Sequence, residues 1–151
     1  MKKAMLKVTP ILAFNGQCNQ AIELYTKAFG AEIVSKILYS EANSTDYQYK
    51  ETEKDFVYFG EMMIGNHLIS FGDDSGNILG DRAQDKSSAT SLLIEFESED
   101  ELNAAYKVIS DGATILTPLC SPTYCTAYVA LKDKFGISWQ LMSGYAISST
   151  I

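Results

Sequence analysis

One order of elements runs through this chain twice: a strand, a helix, then three strands. In the first half, Cys18, Ala21, Ile22, Tyr25, Ala28 and Phe29 recur at helical spacing, with Gln20, Glu23 and Lys27 left for solvent. Gly30 stands where a C-cap belongs. In the second half, Ser98 and Glu101 have capping-box spacing ahead of Leu102, Ala105, Tyr106 and Ile109, and Gly112 ends the helix. Apolar and β-branched runs predict strands over residues 8–14, 31–39, 56–64 and 68–71, then over 90–96, 114–119, 124–131 and 137–142. Local echoes tie the halves together. Tyr25…Gly30-Ala31-Glu32-Ile33 matches Tyr106…Gly112-Ala113-Thr114-Ile115, and the glycine turns at Gly65 and Gly136 each feed a strand.

A four-stranded sheet with one helix leaves a face uncovered, and two such units can cover each other. The expected fold is therefore α+β: tandem βαβββ modules forming an eight-stranded curved sheet around a cleft, with the helices outside. The modules run over about 5–72 and 89–143 of one 1–151 domain. A Gly-, Asp- and Ser-rich linker over 73–88 joins them. A sandwich with a filled interior is the competing arrangement.

The last strand gives the cleft its chemistry. After the turn Asp133-Lys134-Phe135-Gly136, alternation sends Ile137, Trp139 and Leu141 one way and Ser138 and Gln140 the other. The apolar face predicts a helix packed against it, and the hydroxyl-and-amide face a pocket wall.

Composition narrows the function classes. A net charge of -7 with no cluster of Lys and Arg argues against nucleic acid. Three cysteines, Cys18, Cys120 and Cys125, have no disulfide spacing and fit a reducing cytoplasm. Lys7 and Pro10 interrupt the apolar run after Met1-Lys2-Lys3, so neither a signal peptide nor a membrane span is expected.

Leu12-Ala13-Phe14-Asn15-Gly16, Ala21-Ile22-Glu23-Leu24-Tyr25…Ala28-Phe29-Gly30-Ala31-Glu32, Met63-Ile64-Gly65, Thr117-Pro118-Leu119 and Asp133-Lys134-Phe135-Gly136-Ile137-Ser138-Trp139 follow one another over nearly the whole chain. In this order and spacing the sequence resembles the vicinal-oxygen-chelate superfamily, which includes glyoxalase I and the bleomycin- and fosfomycin-resistance proteins. Within it, the chain is similar to the PhnB-like branch, often labelled a 3-demethylubiquinone methyltransferase-type domain. The resemblance implies paired βαβββ modules and a homodimer. In the metal-dependent members it also implies a divalent cation held by four strands.

Matched one at a time, the four ligand positions of that superfamily fall at Pro10, Glu61, Ser91 and Gln140, with Phe59 where this branch often carries histidine. Pro10 has no ligating side chain, Ser91 replaces the usual histidine, and Gln140 replaces the usual glutamate. Glu61 and Gln140 are left as oxygen donors, a set poorly suited to zinc or nickel and only weakly suited to magnesium.

The expected function is therefore binding of a small organic molecule without a catalytic metal or other cofactor. The alternative is a metal-dependent lyase, isomerase or dioxygenase using Glu61 and Gln140. Glu61, flanked by Phe59 and Met63, is the candidate general base, and an ionised surface carboxylate is its plain alternative. Phe14, Phe59, Ser91, Tyr124, Tyr128 and Gln140 are the candidate ligand-binding residues, the aromatics as stacking surfaces and Gln140 as an orienting amide. Plain core packing is the competing reading for the aromatics. His67, the only histidine, falls in a hairpin turn and reads as exposed; Cys125 reads as a small buried hydrophobe. No glycine-rich nucleotide loop opens a helix.

Overall fold

The computed structural model describes residues 3–43, 45, 48–74 and 89–146. Its elements follow the predicted order: β1 (Ile11–Phe14), α1 (Cys18–Phe29), β2 (Glu32–Leu38), β3 (Val57–Ile64), β4 (His67–Asp73), β5 (Leu92–Phe96), α2 (Glu99–Ile109), β6 (Thr114–Cys120), β7 (Ala127–Lys132) and β8 (Ser138–Ser143). Short 3-10 turns at Tyr39–Glu41 and Glu51–Glu53 occupy the polar stretch after β2. Most of the predicted linker, residues 75–88, lies outside the described residues.

The chain forms two units, and their sheets repeat one topology. The first sheet has the order β1-β4-β3-β2, the second β5-β8-β7-β6. In each, the first and fourth strands of the module pair in parallel and the remaining pairs are antiparallel. The shared glycines hold the shared turns: Gly30 and Gly112 follow the two helices and Gly65 and Gly136 sit in the two hairpins, all four with positive φ. The α+β fold and its duplicated βαβββ order are thus present as the sequence reading expects.

The first unit comprises residues 1–19 and 31–84. One face of its sheet is lined by Leu12, Phe14, Met62 and Phe71, all buried. Helix α1 begins here without an acidic residue in its own first turn. Its cap comes from 55 residues further on, where Asp73 Oδ1 accepts from the Cys18 main-chain N–H at 3.0 Å. The same carboxylate accepts from Val57 N–H at 2.9 Å, and the main-chain N–H groups of Gly16 and Gln17 also favour its charge. Burial nevertheless outweighs these donors and raises the Asp73 carboxyl above its usual value.

The second unit comprises residues 20–30 and 85–151. Most of α1 therefore groups with the second sheet, where Tyr25 and Phe29 pack on the Trp139 ring at 5.1 and 4.8 Å between centroids. This is the helix expected over the apolar face of the last strand. Helix α2 starts as its sequence predicts, with Ser98 Oγ accepting from Glu101 N–H at 3.1 Å. Its buried stripe is Leu102, Ala105 and Ile109.

The turn between β7 and β8 is built on Asp133. Oδ1 accepts from the N–H groups of Phe135 and Ile137 at 2.8 and 3.0 Å, and Oδ2 from Tyr25 Oη and Trp139 Nε1 at 2.6 and 2.9 Å. Full burial of Trp139 and Tyr25 stabilises the unit by about 1.5–3 kcal/mol per side chain. Each hydrogen bond to the carboxylate adds about as much, because one partner is charged. Packing and polar anchoring are of similar size at this turn, so neither alone fixes it.

Candidate functional site

Strand register decides which side chains meet on the second sheet. Across the β7–β8 hairpin, Ala130 pairs with Gln140 and Tyr128 with Met142; across the parallel pair, Leu93 pairs with Gln140. Directly paired residues share a face and alternate residues return to it. Tyr128, Ala130, Gln140 and Ser91 therefore stand together, on the side away from Trp139 and its covering helix. Ala130 lies directly across from Gln140 and, being small, leaves the longer amide and phenol room to meet.

They meet through two short hydrogen bonds. The Tyr128 hydroxyl donates to Gln140 Oε1 at 2.6 Å, and Gln140 Nε2 donates to Ser91 Oγ at 2.6 Å. All three side chains are half-buried. Tyr124, a residue 37% exposed, meets the Tyr128 ring edge-on at 5.9 Å between centroids. Burial, and after it the neighbouring Tyr124, pushes the Tyr128 hydroxyl above its usual range. The arrangement can orient a ligand by hydrogen bonding and offer it an aromatic surface.

Four of the seven predicted site residues, Ser91, Tyr124, Tyr128 and Gln140, are thus brought together within the second unit. Glu61 and Phe59 belong to the first unit, two residues apart on β3 and on one face, as expected. Phe59 is exposed, and Glu61 is half-buried with Lys7 Nζ 4.0 Å from Oε2. Phe14 departs from the expectation. It is 1% exposed and lies on the core face, because β1 pairs Phe14 with Asp73 and Leu12 with Phe71, opposite in pleat to Glu61 and its partner Ser70. It fills the core of the first unit and is withdrawn from the ligand-binding set. His67 is exposed and Cys125 buried, as read from sequence.

The link from Tyr128 to Gln140 is the feature that sequence reading missed. The signal was available in the turn: counting outward from it, Lys132 meets Ser138 and Ala130 meets Gln140, which puts Tyr128 diagonally beside the amide.

The donor set does not fit the divalent cation of the metal-dependent superfamily members. Among the described residues no three His, Cys, Asp or Glu side chains gather into a metal-holding group. Gln140 Oε1 and Ser91 Oγ each accept a hydrogen bond from a neutral neighbour.

The family profile described as 3-demethylubiquinone-9 3-methyltransferase matches residues 6–142. The chain belongs to this family. Among curated relatives, Protein YjdN of Escherichia coli (strain K12) is 20% identical over 140 residues, 90% of this chain and 94% of that protein. Among solved structures, a putative 3-demethylubiquinone-9 3-methyltransferase, PhnB protein, from Bacillus cereus is 27% identical with a TM-score of 0.75, covering 92% of this chain and 100% of that one. The fosfomycin resistance protein FosX of Listeria monocytogenes shares 12% identity with a TM-score of 0.61, covering 94% of this chain and 95% of that one. At that identity the likeness is one of fold. The family therefore sits in the glyoxalase/bleomycin-resistance fold, as the sequence resemblance implies.

Proposed function

We infer that this chain binds a small organic molecule on the Tyr124–Tyr128–Gln140–Ser91 face and does so without a catalytic metal. The observation that carries the reading is the hydrogen-bond chain itself. Two positions that hold a cation in metal-dependent members of the superfamily are occupied here by neutral groups already joined to each other and to a phenol. Such groups recognise and orient; they are poor ligands for zinc or nickel. The family description names a methyltransferase. The two strand-to-helix turns, Phe14-Asn15-Gly16-Gln17-Cys18 and Phe96-Glu97-Ser98-Glu99, do not have the glycine pattern that cradles a dinucleotide.

We place the protein in the cytoplasm as a homodimer. Three free cysteines support a reducing compartment. Among the described residues, no helix is long and apolar enough to cross a membrane. Ile33, Val34 and Ile37 on the edge strand β2, with Leu116 and Leu119 on the edge strand β6, are exposed apolar side chains of the kind a second copy covers.

The test is elemental analysis of protein purified without chelators, followed by a thermal-shift screen of oxyanions, dicarbonyls and flat aromatics. The reading predicts substoichiometric metal, and at least one class that raises the melting temperature of the wild type but not of Gln140→Ala. One tightly held metal per chain, lost in Glu61→Ala, would establish the metal-dependent lyase, isomerase or dioxygenase instead.

A further inference from the structure

The open face of the first sheet holds a carboxylate with little to answer its charge. Register places Ser70 and Ser35 on either side of Glu61. Phe59 is two residues along β3 on the same face, with Ile37 directly across from it, and Ile11 lies beyond Ser70. Phe59, Ile37 and Ile11 are all exposed, so the surface around Glu61 is apolar and open to solvent. The Glu61 side chain itself is only 27% exposed. Among the described residues its one charged partner is Lys7, whose Nζ is 4.0 Å away, and no hydrogen bond reaches its oxygens. Lys7 is 63% exposed and stands ahead of β1, in no strand or helix. Lys36 on β2 turns to the opposite face, where its Nζ donates to Asn19 Oδ1 at 3.0 Å. Glu32, across from Met63, adds a second negative charge to the open face. A partly shielded carboxylate gives up hydration that a long contact with a solvated lysine does not replace.

We propose that this face binds an organic ammonium: the charged nitrogen displaces Lys7 and donates to Glu61, while the apolar part lies over Phe59 and Ile37. Side chains two residues apart on a strand are about 7 Å from each other, a span that one small aromatic ammonium covers. The inference concerns the first sheet and shares with the binding reading above only the absence of a catalytic metal. Charge decides the class. An anion meets Glu61 and Glu32, and a neutral analogue lacks the ion pair. Phe59 strengthens the preference, because the face of an aromatic ring attracts an ammonium. A divalent metal fits less well. It needs several oxygen ligands, and no three His, Cys, Asp or Glu side chains gather among the described residues.

The test titrates benzylamine, benzyl alcohol and benzoate into the full-length protein at pH 7 in excess EDTA, following the main-chain amide signals of β2 and β3 by NMR. Benzylamine is expected to shift the Phe59 and Glu61 signals saturably and to bind at least about tenfold more tightly than benzyl alcohol, with benzoate silent. Glu61→Gln keeps the shape and removes the charge; it is expected to weaken benzylamine binding at least about tenfold. Lys7→Ala removes the competing ammonium and is expected to tighten it about two- to fivefold. Added NaCl is expected to weaken benzylamine and leave benzyl alcohol unchanged. Opposite responses of the two variants separate recognition of charge from damage to the fold. Equal affinity for benzyl alcohol, or unchanged affinity in Glu61→Gln, would overturn the ammonium class. Weaker binding in Lys7→Ala would overturn the displacement. Silence from benzylamine would overturn the proposal as a whole, whereas the reading for the second sheet fails separately, when the thermal-shift screen is silent.

Discussion

The Tyr25 hydroxyl donates to Asp133 Oδ2 at 2.6 Å, joining residues 108 apart in sequence. Through this bond the first helix of the chain is fastened to the last hairpin, and the carboxylate that receives it also sets the β7–β8 turn and the Trp139 indole. Tyr25→Phe keeps the ring packing and removes the hydroxyl. It is expected to cost about 1.5–3 kcal/mol, the range for a hydrogen bond to a charged group. At about 2–4 °C per kcal/mol for a chain of this size, the loss is measurable by thermal unfolding. An unchanged melting temperature would mean the helix is held by packing alone.

Asp73 gives a pH signature. Its carboxyl is raised above the usual 3.8, because burial outweighs the main-chain N–H groups of Val57, Cys18, Gly16 and Gln17. The native state then binds this proton more readily than the unfolded chain does. The resulting stability is fully present below the unfolded value, declines as pH rises through the folded value, and is flat above it. In urea unfolding between pH 3 and 7, the stability of wild type relative to Asp73→Asn is expected to fall with rising pH and then level. A relative stability that rises over the same interval would mean that the N–H donors dominate over burial.

Ser143 is 1% exposed and its hydroxyl oxygen has no hydrogen-bond partner among the described residues. A buried, unsatisfied hydroxyl costs about 1–3 kcal/mol, and removing one oxygen leaves only a small void. Ser143→Ala is therefore expected to be neutral or to raise stability by up to about 1 kcal/mol. A loss larger than about 1 kcal/mol would show that the hydroxyl has a partner.

Much of the fold is legible in the sequence because its signals are local. The α1 stripe from Cys18 to Phe29, the Ser98–Glu101 cap and the glycines at 30, 65, 112 and 136 each specify structure within a few residues. The alternation in β8 likewise separates Trp139 from Gln140 without knowledge of any contact. What escapes the sequence depends on register or on distant partners. The cap of α1 is Asp73, 55 residues from Cys18. Phe14 reads as a cleft residue because a four-residue strand carries too little alternation to fix its pleat; its parallel pairing with β4 does that, and turns it into the core. Tyr128 reads as a stacking ring, and its hydroxyl acquires a role only through the diagonal relation to Gln140.

The central claim is that the Gln140 amide binds ligand directly, with no metal between them. The decisive measurement follows the ¹H–¹⁵N signals of the Gln140 side chain while a compound that raises the melting temperature in the thermal-shift screen is titrated into protein held in excess EDTA. The account predicts a saturable shift of both amide protons under these conditions, with the same affinity when EDTA is omitted. A shift that vanishes in EDTA and returns on adding Zn²⁺ or Mg²⁺ would contradict it.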